Sequence, residues 1–190
     1  CKWQNVIFSD EMNVEVDMRK CCVMLRRSPQ ERFDSNCTLK RTKQGSGSIG
    51  IWACMNYAGL GCYRLFEGRL NADRYIEILD NCLLPSIDIF KEENRNIIYQ
   101  QDGASCHTAK ISKRWFVENQ ISIMSWPANS PDLNCIENLW SWLDHHLGKI
   151  QILNAEQLKT EIRKLLDNVP KEITQNLVNS MPKRVNQCLH

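Results

Sequence analysis

The chain has 190 residues, 43% of them hydrophobic, enough for one domain with a substantial core and too few for two comfortable ones. Its formal net charge is only +2, with Lys and Arg interspersed among acids, so a basic groove for nucleic acid has to come from local clustering. No apolar run is long enough to span a bilayer, so a soluble protein with no membrane partner is expected.

Ten cysteines in a small secreted protein would suggest disulfides, but the apolar content is ample and no signal-peptide pattern opens the chain. Their spacings lack the paired two-residue intervals of zinc sites, so most are expected to be reduced and to fill space as small apolar groups. The chain starts at Cys1 in the middle of an apolar stretch and reads as an excised domain, residues 1–190 forming one unit.

Taken from the N-terminus, Val6 to Phe8 is a short apolar run ending in Ser9-Asp10, the pattern of a buried strand with a carboxylate at its C-terminal end. Residues 14 to 25 alternate partially and suggest a second strand or hairpin. Arg26 to Gly47 is polar, basic and aperiodic, a loop excursion. Ser48–Met55 and Gly61–Phe66, joined by the turn-forming Asn56-Tyr57-Ala58-Gly59, read as an antiparallel hairpin. A helix follows from Ala72 to Leu84, with Tyr75, Ile76, Leu79 and Leu83 on one face, before Pro85 interrupts or kinks it.

Asn96–Gln100 is another short strand, leading to Asp102. Thr108–Asn119 is expected to be a helix burying Ile111, Trp115 and Phe116, with Lys110, Lys113 and Arg114 facing elsewhere. Ile121–Trp126 reads as a fifth strand, and a helix runs from about Cys135 to Leu147. Further helical patterns fall at Leu158, Ile162, Leu165 and Leu166, then at Ile173, Leu177 and Val178, with Pro170 suited to a first turn. That order predicts an α/β fold: a mixed five-stranded sheet flanked by helices, of the RNase H type.

Three acids stand where strand or loop gives way to turn or helix: Asp10, Asp102 and Glu137, the last two separated by residues 103–136. Each has a plain alternative. Asp10 and Asp102-Gly103 suit turns, and Asn134-Cys135-Ile136-Glu137 reads as a capping box with Asn134 as N-cap. If the fold gathers the three, their repulsion demands cations, which predicts a site of oxygen ligands for divalent metal. Asp132 is a rival third acid, read here as a turn or cap residue. His107 is assigned a supporting role after Asp102, because Mg²⁺ prefers oxygen. His145 and His146 read as surface residues, and Trp126, Trp140 and Trp142 as packed against the sheet more than stacked on bases.

VIFSDE around Asp10, YQQDGASCHTAK around Asp102 and SWPANSPDLNCIENLW around Glu137 resemble the catalytic domain of a Tc/mariner-type DDE transposase, with GSGSIGIWACMNYAGLG and LLPS extending the likeness over nearly the whole chain. A Glu in third place resembles the Tc branch. The resemblance implies that Asp10, Asp102 and Glu137 are catalytic and bind two Mg²⁺ or Mn²⁺ ions, supported by His107, Asn134 and Asn138. Lys110, Lys113 and Arg114 are assigned to DNA. It also implies cut-and-paste DNA movement with insertion at TA, double-stranded DNA as partner, a homodimer to which Arg26–Gly47 contributes, and a nuclear location. The helix-turn-helix region that such proteins carry N-terminally is expected to be absent. A domesticated or inactive module for DNA binding or dimerisation is the alternative. Two departures stand out: Cys135 where the family has Pro, and Gly-Ala-Ser-Cys-His after Asp102 in place of a Pro-containing run.

Overall fold

The computed structural model describes residues 3–16, 48–91, 96–127 and 130–188. Five strands form one sheet in the order β3-β2-β1-β4-β5. They are β1 (Val6–Glu15), β2 (Ser48–Asn56), β3 (Gly59–Glu67), β4 (Ile98–Gln100) and β5 (Ser122–Ile123). β1 is antiparallel to β2 and parallel to β4, and β4 is parallel to β5, so the sheet is mixed as the element order predicts. The β2–β3 hairpin also forms as expected. Its turn is closed by the Asn56 side chain, whose Oδ1 accepts from Ala58 N at 2.7 Å, and by Gly59 at φ +150°, a backbone open to glycine.

Strand alternation sorts the apolar residues onto two faces. Val6, Phe8, Val14, Ile49, Ile51, Ala53 and Met55 meet four helices: α5 (Ile136–Leu147), α6 (Ala155–Asp167), α7 (Lys171–Asn179) and α8 (Met181–Cys188). Ile7, Trp52, Cys54 and Tyr99 face the others: α1 (Ala72–Ile78), α2 (Leu84–Lys91), the single-turn α3 (Ser105–Thr108) and α4 (Lys110–Glu118). Burial on both faces explains why β2 reads as a nearly continuous apolar run. On α5, Ile136, Leu139, Leu143 and Leu147 recur on one stripe and are fully buried, each contributing roughly 1.5–3 kcal/mol of transfer free energy. That stripe fixes the rotation of α5, and with it the direction of Glu137.

Several expectations are corrected. β1 continues past Asp10 to Glu15, so Asp10 lies mid-strand, paired with Ala53, and residues 14–15 belong to β1. The rest of the 14–25 stretch beyond Val16, and the Arg26–Gly47 excursion, lie outside the described residues. The helix from Ala72 does not stop at Pro85. A π-helical turn, Leu79–Leu83, precedes α2, and this wider turn accommodates a ring that would clash in a regular helix. Ile111, expected in the core, is 45% exposed, and Ser112 takes the buried place, its Oγ donating to the Cys106 carbonyl. The fifth strand shrinks to Ser122–Ile123, because only two residues pair with β4. Cys54, Cys82 and Cys135 are buried free thiols as expected, while Cys188 is exposed. No described helix is long and apolar enough to cross a membrane.

Candidate active site

Adjacent parallel strands bring the first two acids to one level. Phe8 on β1 pairs with Gln100 on β4, and Asp10 and Asp102 each lie two residues beyond that pair. Because β4 ends at Gln100 while β1 runs on, the switch from paired to open sheet falls beside Asp10. Crevices beyond strand ends of this kind are where open α/β sheets bind ligands.

Asp10 shares the face of Phe8 and meets α5. The Trp140 indole N–H donates to its Oδ2 at 2.9 Å. Burial raises the Asp10 carboxyl to about 7; the Trp140 bond works against this, and the nearby charges of Glu137 and Glu11 push it further up. Glu137, one helical turn before Trp140, is half-buried, so α5 supplies both the donor to Asp10 and the acid that repels it. Glu11, Glu137, Trp140, Ser141 and Asp144 line a solvent-open cavity of about 420 Å³.

Asp102 follows β4 in a loop, its side chain 53% exposed. Its Oδ1 accepts from the Ala104 backbone N–H at 2.9 Å and contacts His107 Nδ1 at 2.6 Å. The His107 bond holds the Asp102 carboxyl below the usual range. His107 itself is 2% exposed and sits against the Tyr75 ring, centroids 4.4 Å apart. Burial alone would strip its proton, but hydrogen bonds to Asp102, Cys106 and Glu11 outweigh burial and hold the imidazole charged. Its Nε2 lies 3.1 Å from Glu11 Oε1. With both ring nitrogens engaged by carboxylates, the charged His107 has no lone pair to offer a metal.

The capping box does not form. Cys135 is the N-cap of α5 without a side-chain bond, and Asn134 instead donates Nδ2 to the Ser9 carbonyl at 3.2 Å, leaving its buried Oδ1 without a partner. A tertiary bond to the strand carrying Asp10 wins over local capping, and Glu137 is not spent on the helix end. Asn138 accepts from Arg184 Nη2 at 2.6 Å, and Arg184 Nη1 reaches the Asp132 carbonyl at 2.9 Å. Asn138 thus ties α5 to α8, and Asp132 sits exposed in the short 3₁₀ turn Pro131–Leu133. Lys110, Lys113 and Arg114 are exposed on α4, with Arg114 Nε 2.7 Å from Glu118. His146 Nδ1 lies 2.8 Å from the Trp142 carbonyl, and His145 is exposed.

The structure therefore sets Asp10 against Glu137 and levels Asp102 with Asp10. Among the described residues no three His, Cys, Asp or Glu side chains stand close enough to hold one ion together. In donor chemistry the three fit Mg²⁺ or Mn²⁺, since all are carboxylate oxygens; the Asp10 carboxyl is raised chiefly by burial, with the charges of Glu137 and Glu11 adding to it. Sequence reasoning passed over Glu11, Trp140 as a donor, and Arg184. Only Glu11 left a local sign, in standing next to Asp10.

Residues 5–159 match the family model described as DDE superfamily endonuclease. The chain belongs to that family. It is 30% identical over 182 residues to the Tcb2 transposase of Caenorhabditis briggsae, a match covering 96% of this chain and 66% of the relative. The chain thus spans a little under two thirds of that transposase, and within the DDE superfamily it is of the Tc/mariner type, its catalytic domain. Among solved structures it is similar to the Mos1 transposase catalytic domain with Raltegravir and Mn, at a TM-score of 0.74 and 18% identity, covering 98% of this chain and 82% of that one. The Mos1 strand transfer complex gives a TM-score of 0.74 at 18% identity, covering 98% and 54%. At that identity the likeness establishes the RNase H-like fold of this DDE domain.

Proposed function

We propose that this DDE domain cleaves DNA strands at transposon ends and joins the freed ends to target DNA at TA dinucleotides, with Asp10, Asp102 and Glu137 holding two Mg²⁺ or Mn²⁺ ions. The observation that carries the reading is a buried Asp10 carboxyl, held by Trp140 of α5 and within reach of the Glu137 charge, beside an open cavity and next to a second Asp in the loop that leaves the adjacent strand. When bound, such ions lower the pKa of water to make a nucleophile and stabilise the charge developing on the leaving 3′ oxygen.

The protein's own residues orient and balance. Trp140 holds Asp10 by one oxygen, His107 holds Asp102 by one oxygen, and the buried stripe of α5 keeps Glu137 at the rim of the cavity. Fixing ligands before substrate arrives spares reorganisation during the reaction. A freed 3′-hydroxyl can take the place of water, so one constellation serves hydrolysis and joining. Lys110, Lys113 and Arg114 are assigned to the DNA backbone, the Arg26–Gly47 excursion to dimer formation, and the working place of the protein to the nucleus. The family match and the likeness to a strand transfer complex support double-stranded DNA as partner.

A Mg²⁺-dependent nicking assay on supercoiled DNA tests this. Asp102→Asn is expected to lower cleavage by about 10³-fold, the upper scale for losing one group that stabilises transition-state charge. Cleavage that the substitution leaves unchanged would refute the assignment, and a parent chain that binds DNA without cutting it would favour a binding or dimerisation module.

A further inference from the structure

Asp10 and Glu11 are consecutive acids on β1, and strand alternation sends their side chains to opposite faces of the sheet. Asp10 meets Trp140 on the α5 face, while Glu11 meets His107 on the α3 face. His107 in turn holds Asp102. The single strand β1 thereby touches the site twice, directly through Asp10 and indirectly through Glu11.

We propose that Glu11 is a positioning residue: through the His107 ring it fixes the carboxylate of Asp102 in the orientation that a metal ion requires. This rests on the reading of Asp102 as a ligand given above. The ring is bracketed at both nitrogens, Glu11 Oε1 at 3.1 Å from Nε2 and Asp102 Oδ1 at 2.6 Å from Nδ1. Its face is set by Tyr75, whose hydroxyl is held by Gln101 Oε1 at 2.5 Å and by the Tyr99 hydroxyl at 3.0 Å. Tyr99 is tied back to β1 by Ser9 Oγ at 2.7 Å. The ring therefore cannot turn without breaking its bonds to β1 and to the loop after β4 and leaving its contact with Tyr75. Both bonds to Asp102 fall on Oδ1, the second coming from Ala104 N, so the bracket leaves Oδ2 as the oxygen offered to an ion. Partners that orient a ligand in this way change metal affinity by about 10–100-fold when removed.

The test is Mn²⁺ binding to the purified chain by calorimetry, beside the nicking assay and a thermal melt. Glu11→Ala is expected to weaken Mn²⁺ about tenfold with unchanged stoichiometry, and to raise the metal concentration for half-maximal cleavage more than it lowers the rate at saturating metal. Glu11→Gln, which keeps an acceptor, should recover part of the loss. His107→Asn retains a donor toward Asp102 but is too short for Glu11, so it should match Glu11→Ala, and combining the two should add little. Unchanged Mn²⁺ affinity in Glu11→Ala, a lost binding equivalent, or full additivity of the double variant would each overturn the proposal. Were His107→Asn not to fold, the two Glu11 variants alone decide between these outcomes. Failure of the underlying reading looks different: Asp102→Asn would then leave Mn²⁺ binding intact.

Discussion

On the α5 side of the sheet, Asp10 meets a neutral donor, Trp140, and the charge of Glu137, and burial raises its carboxyl to about 7. On the α3 side, Asp102 meets a charged donor, His107, and its carboxyl falls below the usual range. The two acids have the same chemistry and each stands two residues beyond the Phe8–Gln100 pair, one on β1 and one in the loop after β4, yet their electrostatic circumstances are opposite. One half of the site lacks positive charge, and the other carries a protein cation that already balances it. On the proposed reading, a divalent ion would gain most in the Asp10–Glu137 half, while the Asp102 half would be oriented in advance.

The largest expected effect breaks the first half. Asp10→Asn should abolish metal-dependent cleavage, by about 10³-fold, yet stabilise the metal-free chain at alkaline pH. The sign follows from linkage: a carboxyl raised from 3.8 to about 7 on folding binds its proton more tightly in the native state, so the parent loses stability as pH rises through that window. Asn carries no charge, and its advantage should be absent near pH 4, grow toward pH 7 and level off above. Thermal melts in EDTA across pH 4 to 8 would read this. A constant gap would mean that the burial of Asp10 is not an electrostatic cost.

A smaller effect sharpens the contrast between neutral and charged donors. Trp140→Phe keeps most of the packing and removes the N–H that reaches Asp10 Oδ2. Losing a hydrogen bond to a buried carboxylate costs about 1.5–3 kcal/mol. The loss should be largest above pH 7, where Asp10 is ionised, and shrink as the carboxyl takes up its proton. Urea unfolding at pH 8 and pH 5 in metal-free buffer would check it, and equal losses at both would place the cost in packing.

These halves were unequally legible in the sequence. The apolar run of Val6–Phe8, the hairpin turn at Asn56–Gly59 and the helix from about Cys135 to Leu147 are local patterns, and each appears where the sequence places it. The boundary of β1 was missed because pairing with β2 carries the strand on through Asp10, Glu11 and Asn13, residues whose polarity reads as a loop. Ile111 was misplaced by about one helical position, because α3 and α4 are separate pieces with a break at Ala109 that no proline or glycine announces. The capping box failed because Asn134 found a partner 125 positions away, at the Ser9 carbonyl. Of the Glu11–His107–Asp102 bracket, the half joining His107 to Asp102 spans five positions and was legible, whereas the half joining His107 to Glu11 spans 96 and residue type alone does not specify it.

The smallest expected effect lies on α4, which continues the chain from the His107 side. Lys113 and Arg114 are adjacent and both exposed, but Arg114 is already paired with Glu118 at 2.7 Å, whereas Lys113 forms no ion pair with a described residue. A cation that neutralises a phosphate contributes about 0.9 to the slope of log affinity against log salt for B-form DNA. Lys113→Ala should therefore reduce that slope by close to one. Arg114→Ala should reduce it by less, because part of its charge is spent on Glu118, and Glu118→Ala should tighten DNA binding at low salt. Titrations of a short duplex at several salt concentrations would resolve the three. Equal slopes for the parent and all three variants would take the DNA path away from Lys113 and Arg114.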